Sequence, residues 1–489
     1  MDSKEFVAAV DLGTTKVVIA VGRKAEKNKI EIVALKEIAS QGVIKGDLKN
    51  IDQAARALKE VKNRIEAELG LTLNEAFVGV SGQHIKCSRA TGYVFVQNSD
   101  NQVSEVKASD VKRLQDDMKN TSVPLGQTII TVLPQTYTLD DETDISEPIG
   151  MEGRRLEAKF NIIVGEDAAI ERIRRCFSRV GLKMAGTILQ PLASAEAVLS
   201  EDEKELGVAV VDIGGGTTDL CIYHDKIIRH VAVIPIGGNI INKDIRAYGI
   251  LERHVEKLKT SFGEAIPERA PAEKYISIPS VSGQAPKEIA VRALASIIEA
   301  RMHDITDYVM LEIDKAGYKG KLGAGIVLTG GGATLKNLDI LFKQQLGYEV
   351  RIASPTVHLT PENAELVSNP KFATTTGLVI DAVRSGKHTE TSERVDDPYA
   401  YGGQQQQAAD AVGDYGGGYQ PNKLSSYTDQ YGQYDQDQEG QYYEEGYDQE
   451  QYAEEYEGQF EEIDRRKGVV GRVKGWFGKI FEEVDDEEI

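Results

Sequence analysis

At 489 residues the chain is long enough for several domains, and its formal charge of −21 at pH 7 argues against a nucleic-acid-binding surface. No signal-like segment and no apolar run of about 18 residues is apparent, which predicts a protein that is neither secreted nor membrane-spanning. The three cysteines and seven histidines are scattered without metal-ligand spacing, which indicates reduced thiols and argues against a zinc or haem site.

The first predicted element is a strand over 6–10 that ends on a carboxylate, Asp11. A turn follows, and then a second apolar strand. Polyphosphate binding needs clustered backbone N–H groups and hydroxyls, with a carboxylate to organise Mg²⁺. We predict that the turn is a phosphate loop because it brings these groups together. It consists of Gly13, Thr14, Thr15 and Lys16.

The next part of the chain has the pattern of an α/β layer domain. Residues 52–69 have apolar positions at helical spacing, and 76–82 is a further buried strand. From 83 to 163 the pattern changes to alternating strand-like runs around a charged helix candidate at 107–119. We predict a small α+β domain inserted into the first domain, whose surface serves contacts rather than chemistry.

The sequence GVAVVDIGGGTTDL, at 207–220, repeats the first unit roughly two hundred residues later, far beyond the period of a solenoid repeat. A buried strand again ends on a carboxylate, Asp212, and Asp219 supplies another. Alone, such a turn is also typical of an ordinary hairpin. The repetition indicates two similar domains that each present a phosphate loop to a ligand between them. The second loop consists of Gly214, Gly215, Gly216, Thr217 and Thr218.

Three later features are candidates for ligand contacts. Gly237 and Gly238 follow a strand and precede a helix, where the backbone can approach a ligand closely. Glu256 and Lys259 lie on one helix face, and alone they favour a surface ion pair. A glycine triplet precedes a predicted helix over 334–342 and is placed to accept an anion or to lie against a base or ribose. The triplet consists of Gly330, Gly331 and Gly332.

As a set, the two acid-ended loops, the inserted domain, a linking helix over 189–199 and the late glycine triplet resemble the actin-like ATPase superfamily. In that family two α/β halves close over Mg²⁺ and ATP. The resemblance implies that Asp11 and Asp212 order Mg²⁺ through water and that the two loops hold the phosphates. It assigns the adenosine to Gly237, Gly238, Asn239, Glu256, Lys259, Gly330, Gly331 and Gly332.

One position of the expected catalytic set departs from part of the superfamily. Gln190 stands at the linking-helix turn, where some members carry a glutamate. Glutamine orients water but cannot take a proton as a carboxylate does. We therefore expect slow hydrolysis at most, with ATP acting as a conformational and assembly ligand.

Within the superfamily the chain is similar to the FtsA family, the bacterial cell-division actin homologues, over residues 4–386. The similarity is carried by the motifs ITVLPQTYTLD, EPIGMEGRRLEAKFNIIVG, QPLASAEAVL, VVDIGGGTTD and LTGGGATLKNL. Members of that family polymerise head to tail, and the smaller subdomain of their second half binds the C-terminal tail of FtsZ, the tubulin-like ring protein. The resemblance implies these partners here, together with other division proteins. One departure is Asn242, where such sequences usually carry threonine.

Motifs and resemblance together predict an actin-like ATPase fold of two similar α/β halves with a small inserted α+β domain. The first half spans 1–82 with 164–194 and 361–386, and the inserted domain spans 83–163. The second half comprises a phosphate-loop part at 195–236 with 320–360 and a smaller, FtsZ-binding subdomain at 237–319. A disordered linker is predicted at 387–462 and a membrane-targeting amphipathic helix at 463–489.

The predicted linker is rich in Gln, Tyr, Gly, Asp and Glu and contains scarcely any aliphatic residues. It cannot bury enough apolar surface to fold. As a flexible coil it has an r.m.s. reach of roughly 50 Å, and repulsion between its acids should extend it further. We interpret it as a spacer; a tyrosine-bearing, self-associating segment is the alternative.

The charge of the chain then changes sign, and residues 465–481 have the pattern of a helix that lies in a membrane interface. Its apolar arc consists of Val469, Val470, Val473, Trp476, Phe477, Ile480 and Phe481. The arc is bordered by basic residues: Arg465, Lys467, Arg472, Lys474 and Lys479. Four glycines on the polar side, each unfavourable by about 1 kcal/mol against alanine, predict that it folds only on anionic lipid. A helix that docks on a protein is the alternative.

These observations favour a cytoskeletal ATP-binding protein of cell division that polymerises at the membrane. Through its terminal helix it would anchor the FtsZ ring, as a peripheral protein, to the cytoplasmic face of the cell membrane at the division septum. One alternative is a small-molecule kinase, although no substrate carboxylate base is marked in the cleft. Another is a chaperone-like ATPase, which needs a substrate-binding β-domain where this chain has a polar tail.

Overall fold

The computed structural model of the protein describes residues 6–96, 103–279, 285–386, 388–389 and 391–393. The predicted membrane helix at 463–489 and nearly all of the predicted linker lie outside these residues. Among the helices that are described, none combines the length and the apolar character needed to cross a membrane.

The first half begins with a β-rich stretch, continues into a long helix and returns to strands. Its elements are β1 (Val7–Leu12), β2 (Lys16–Lys24), β3 (Ile30–Ala39), β4 (Val43–Ile44), β5 (Asp47–Leu48), α1 (Ile51–Leu69), β6 (Leu71–Leu73) and β7 (Glu75–Val80). Helix α1 begins where the Asn50 side chain accepts a hydrogen bond from the Gln53 amide, and it ends at Gly70 in the left-handed conformation. This confirms the predicted helix over 52–69.

The inserted domain has its own sheet and its own core. Its elements are β8 (Lys86–Phe95), β9 (Ser104–Glu105), α2 (Ala108–Lys119), β10 (Gln127–Leu139), β11 (Glu142–Ile145), β12 (Glu152–Gly153) and β13 (Arg155–Glu166). The main sheet is antiparallel in the order β11–β10–β13–β8. Helix α2 packs on it through Leu114 and Met118. The chain enters this domain after β7 and leaves it at the end of β13, so two connections join it to the first half.

From the inserted domain the chain returns to the first half. The next elements are α3 (Asp167–Arg179), β14 (Lys183–Leu189), α4 (Gln190–Val198) and α5 (Glu201–Leu206). Strand β14 pairs in parallel with β7 and completes a five-stranded sheet in the order β14–β7–β1–β2–β3. Arg172 on α3 forms an ion pair with Asp47 at 2.6 Å, which fastens this helix to β5.

The second half repeats the strand arrangement of the first. Its elements are β15 (Val208–Ile213), β16 (Thr218–His224), β17 (Ile227–Ile234), α6 (Asn239–Ala247), α7 (Glu252–Phe262), β18 (Tyr275–Ile278), β19 (Lys287–Ala290), α8 (Val291–Ala316), β20 (Ile326–Thr329), α9 (Leu338–Leu346) and β21 (Val350–Ile352). Its main sheet has the order β17–β16–β15–β20–β21. Strand β15 pairs antiparallel with β16 and parallel with β20, as β1 does with β2 and β7. The two similar halves inferred from the repeated loop are thus visible in the topology.

A helix rich in alanine, α4, packs between the halves and is crossed by a later helix. The chain ends its described course with α10 (Pro361–Ala364), α11 (Ala373–Arg384) and β22 (Thr391–Glu393). Helix α4 contacts strands of both large sheets and crosses α11 closely. A Cβ on Gly377 would lie only 1.8 Å from the Ala193 carbonyl oxygen, so this crossing requires glycine. Strand β22 pairs with β6, which places 391–393, part of the predicted linker, against the first half.

Candidate functional site

The two predicted phosphate loops have the same local structure. Asp11 lies near the end of β1 and Asp212 near the end of β15. The Gly13 amide donates to the Lys16 carbonyl at 3.0 Å, and the Gly214 amide donates to the Thr217 carbonyl at 2.9 Å. Each loop is therefore a tight hairpin turn with a carboxylate at its base, so the hairpin alternative and the phosphate-loop prediction describe the same backbone.

The two loops face each other and touch. A Cβ on Gly215 would lie 2.2 Å from Cγ2 of Thr15, and one on Gly216 would lie 2.4 Å from Oγ1 of Thr14. Only glycine permits this approach of one loop to the other. Because side chain and backbone are in contact here, a phosphate group can enter along this line only if the loops separate.

Asp11 is 3% exposed and is held by three side chains. The Lys16 ammonium lies 3.4 Å from Oδ2, the Gln190 amide donates to Oδ1 at 3.1 Å, and Thr375 donates to Oδ2 at 3.3 Å. The structure thus brings together three residues that the sequence assigned to one site, from the first loop and the linking helix. Thr375, on α11, joins them.

Asp212 is 7% exposed and is held by hydroxyl groups. Ser194 donates to its Oδ2 at 2.5 Å and Thr374 donates to the same oxygen at 2.9 Å. Its Oδ1 lies against the backbone of the glycine triplet: a Cβ on Gly330 would be only 2.2 Å from this oxygen. Burial raises the pKa of Asp212 above its ordinary value, and the hydroxyl donors and the Lys16 ammonium oppose that shift.

Asp219 is the third buried carboxylate of the site, and its exposed fraction is 6%. Ser81, at the end of the first half's β7 segment, donates to it at 2.9 Å, so this hydrogen bond joins the two halves. Burial raises the pKa of Asp219 well above its ordinary value, and the Asp212 and Asp11 carboxylates raise it further.

We expect Asp219→Asn to stabilise the nucleotide-free protein. When folding raises the pKa of a carboxyl, the folded protein becomes less stable as pH rises from about 4 through the raised pKa, because the buried group must then be ionised. The neutral amide keeps an acceptor for Ser81 and removes that penalty. At pH 7 the gain should be on the order of 1 kcal/mol, or roughly 1–2 °C in melting temperature for a folded part of this size, and it should vanish below about pH 4.

Thermal unfolding followed by circular dichroism measures this effect, with Asp314→Asn as the matched control because Asp314 is exposed on α8 of the same half. A lower melting temperature for the Asp219 variant than for the control at pH 7 would show that the buried Asp219 carboxylate does not destabilise the nucleotide-free protein.

The donor set of the site fits a hydrated magnesium ion rather than one enclosed by protein ligands. Asp11 and Asp212 lie near the Lys16 ammonium, and Asp219 lies near these two carboxylates. Across the described ranges, no group of three His, Cys, Asp or Glu side chains is arranged to hold a metal ion directly. Mg²⁺ commonly keeps several waters and binds to one or two carboxylates and to substrate phosphates. Water-mediated binding at Asp11 and Asp212 is compatible with this arrangement.

The predicted adenosine residues of the second half pack beside the second loop. The Gly238 amide donates to the Gly214 carbonyl at 2.9 Å, and the Asn239 amide donates to the Gly215 carbonyl at 2.8 Å. A Cβ on Gly237 would lie 2.6 Å from the Gly214 carbonyl oxygen, so this position needs glycine. The pair Gly237–Gly238 therefore shapes the second loop from behind.

Glu256 and Lys259 form an ion pair at 2.8 Å, but the pair is not an ordinary surface contact. The Lys259 side chain is 9% exposed and its ammonium donates to the Gly238 carbonyl at 3.1 Å. The Glu256 side chain is 57% exposed and accepts from the Asn242 amide at 2.7 Å. The structure thus ties the helical pair to the backbone that supports the second loop, and Asn242 contributes to it.

The glycine triplet lies against the base of the second loop, where a Cβ on Gly332 would be 2.4 Å from Cγ2 of Ile213. The helix predicted over 334–342 is wrong in its start. A short 3-10 turn covers Gly332–Thr334, and α9 begins only at Leu338. Asn337 has a left-handed backbone, with φ of 57°, and interrupts the helix. Gly331 therefore does not open an α-helix.

Sequence reasoning missed the hydroxyl groups that hold the carboxylates: Ser81, Ser194, Thr374 and Thr375. One signal was available in α11, where three consecutive threonines stand in a buried helix although β-branched residues are poor helix formers. The residues predicted to contact lipid, at 465–481, lie outside the described residues.

Comparison with known proteins gives consistent matches. A family model described as cell division protein FtsA matches residues 209–377, and one described as an SHS2 domain inserted in FtsA matches 82–164. Cell division protein FtsA of Pseudomonas aeruginosa is 34% identical over 381 residues, which cover 78% of this chain and 90% of that protein. The Escherichia coli K12 protein of the same name is 30% identical over 384 residues, with 77% and 90% covered.

A solved structure supports the fold. The PilM–PilN type IV pilus biogenesis complex aligns with a TM-score of 0.55 at 14% identity, over 77% of this chain and 98% of that one. The predicted fold class, an actin-like ATPase fold with a small inserted α+β domain, is confirmed by the fold and by the match to the inserted domain.

Proposed function

This chain belongs to the FtsA family of cell division proteins, and we propose that it is an ATP-binding protein that assembles at the membrane and anchors the FtsZ ring there. The observation that carries the nucleotide part of this proposal is the pair of matching loops, with Thr14 and Thr15 facing Gly215 and Gly216 above buried carboxylates.

The proposed cofactors are ATP and Mg²⁺. Bound Mg²⁺ supplies charge neutralisation between the phosphate oxygens. Asp11 and Asp212 would accept hydrogen bonds from water on the ion, and the Lys16 ammonium would neutralise phosphate charge from the first half. The amides of the two loops would donate to the phosphates from both sides. Lys259, Glu256 and Asn239 would contact the nucleoside from the second half.

We propose at most slow hydrolysis because the residue nearest to a water-orienting role is an amide. Gln190 donates to Asp11 at 3.1 Å, which fixes the amide next to the expected ion. It has no basic group that could accept a proton from an attacking water.

The expected result is a steady-state turnover well below the roughly 1–100 s⁻¹ of typical kinases, with the full chain and saturating Mg²⁺ and ATP. A coupled assay that monitors phosphate release measures this turnover, and the Asp212→Asn variant supplies the background rate. Turnover in the kinase range would contradict the proposal that hydrolysis is slow.

The other regions are proposed to serve assembly. The inserted domain at 83–163 would contact further copies and other division proteins, and the subdomain at 237–319 would bind the C-terminal tail of FtsZ. The polar linker at 387–462 would give the terminal helix at 463–489 freedom to reach anionic lipid. Together these parts would place the protein at the cytoplasmic face of the membrane, at the division septum, in head-to-tail filaments.

Sedimentation with vesicles tests the proposal. Full-length protein is mixed with vesicles containing anionic or only zwitterionic lipid, with ATP, ADP or no nucleotide. We expect binding only to anionic vesicles, and steeper concentration dependence with ATP because filaments attach through many helices at once. Equal binding to both lipid types would contradict the electrostatic anchor. Vesicle binding that ignores nucleotide would contradict assembly control by ATP.

A further inference from the structure

The inserted domain is joined to the second half by two facing β-bulges. In β10 the register with β13 shifts between Pro134 and Thr136, so Gln135 is the extra residue. In β17 the register with β16 shifts so that His230 and Ile228 have partners and Arg229 is the extra residue. A bulge leaves backbone groups free of the ladder and re-aims side chains. Here both extra residues point at each other's strand.

Three hydrogen bonds connect these bulges. The Gln135 amide donates to the Ile228 carbonyl at 2.8 Å, and the Arg229 guanidinium donates to the Gln135 carbonyl at 3.2 Å. From β13, the buried Asn161 amide donates to the Arg229 carbonyl at 2.9 Å. We call Gln135, Asn161 and Arg229 the latch. It covers the outer edge of the second half's sheet, since β17 is an edge strand.

Apolar packing supports the latch. Leu133 and Ile163 of the inserted domain belong to the same buried cluster as Val231 and Tyr223 of the second half. The domain's own core, around Leu156, is a separate cluster. That cluster also holds the core of the first half, so Leu133 and Ile163 pack where the inserted domain meets both halves.

The two chain connections to the first half contain glycine. Gly82 precedes β8 and has a φ of +126°, which side-chain-bearing residues rarely adopt, and Gly165 is the second-last residue of strand β13. A Cβ on Gly165 would lie 2.8 Å from Cδ1 of Ile130, so this junction too is tightly fitted. The inserted domain thus contacts the first half through its two chain connections, through β10 against β14 and through β13 against α3. It contacts the second half through β10 and β8 against β17, where the latch adds hydrogen bonds.

We propose that the latch makes the inserted domain a lever, which moves relative to the first half when nucleotide separates the two phosphate loops. This inference rests on the proposed nucleotide binding, since the touching loops at Thr15 and Gly215 must part to admit a phosphate. Movement of the second half carries β17 with it. The latched domain follows β17 and bends at Gly82 and Gly165. Nucleotide state is thereby converted into the orientation of an assembly surface.

The distance between the inserted domain and the first half tests this lever. In full-length protein with Cys87→Ser, spin labels are placed at Glu142→Cys on β11 and Lys59→Cys on α1, both exposed. Pulsed electron–electron resonance is recorded without nucleotide, with Mg²⁺–ADP and with a non-hydrolysable ATP analogue. We expect the distance distribution to shift on nucleotide addition. In Gln135→Ala/Arg229→Ala the shift should be lost, with roughly fivefold more local opening of β17 by hydrogen exchange.

The control is Arg155→Ala, which removes an arginine whose contacts, to Glu157 and the Tyr93 ring, stay within the inserted domain. In the Arg155→Ala variant the distance distribution should shift on nucleotide addition as it does in the labelled protein without this substitution. Calorimetric titration of nucleotide into the same samples separates the two proposals. Binding without a distance shift, or a shift that persists in the latch variant, overturns the lever alone. Absence of binding overturns the proposed nucleotide site and the lever with it.

Discussion

Replacing Asp212 by asparagine is expected to weaken Mg²⁺-dependent ATP binding by roughly 10–100-fold while leaving the fold intact. Both hydroxyl donors, on Ser194 and Thr374, converge on one oxygen, Oδ2. A carboxamide oxygen in that place keeps both hydrogen bonds. The lost charge is the part that would order water on Mg²⁺. Because burial raises the pKa of Asp212, the neutral side chain does not penalise the nucleotide-free fold.

Equilibrium titration with ATP, once with Mg²⁺ and once with chelator, measures this prediction. The unaltered protein should lose affinity when Mg²⁺ is removed, whereas Asp212→Asn should bind ATP with the same weak affinity in both conditions. Asp314→Asn, exposed on α8, is the matched control and should behave as the unaltered protein. A variant at position 212 that keeps full Mg²⁺ dependence would show that Asp212 does not face the ion.

Trp476→Glu is expected to release the protein from anionic vesicles. The tryptophan lies in the apolar arc of the predicted terminal helix, and losing its burial at the lipid boundary removes roughly 2–3 kcal/mol, or about 30–150-fold in vesicle affinity. The added carboxylate is repelled by anionic headgroups and weakens binding further. ATP affinity should not change, because the site lies entirely in the described globular part.

Vesicle sedimentation at several protein concentrations gives the vesicle affinity of the unaltered protein and of the Trp476→Glu variant. Tyr456→Glu is the control: it makes the same aromatic-to-acid change in the predicted linker, outside the arc. If the control were released as strongly as the Trp476 variant, net charge rather than the apolar arc would govern binding.

The parts of the site that sequence could predict are local in the chain. In each unit a strand ends at a carboxylate and a turn with glycine and two threonines follows directly. The repetition of this unit predicted two similar halves, which the strand topology confirms. The similarity to a known family then supplied the expected roles of these residues: Mg²⁺ at the two acids, phosphates at the loops and adenosine at the later glycines.

The parts that sequence missed depend on contacts between distant segments. Ser81 reaches Asp219 across 138 residues, and Thr374 reaches Asp212 across 162. A single serine or threonine carries no pattern that marks such a role. The predicted start of α9 was wrong for a different reason. The left-handed backbone of Asn337 interrupts a helix that the glycines and the apolar spacing alone would predict to begin earlier. Likewise, the bulges at Gln135 and Arg229 follow from strand register, which no local pattern reveals.

We propose that one chain connects FtsZ to the membrane, and recruitment of a labelled peptide with the FtsZ C-terminal tail sequence to anionic vesicles tests this connection. With ATP and the full-length protein we predict that the peptide sediments with the vesicles, and that it stays in the supernatant with Trp476→Glu, which still binds nucleotide. Peptide that remains in the supernatant with the unaltered protein, or that sediments with the Trp476 variant, would contradict the proposed connection between FtsZ and the membrane.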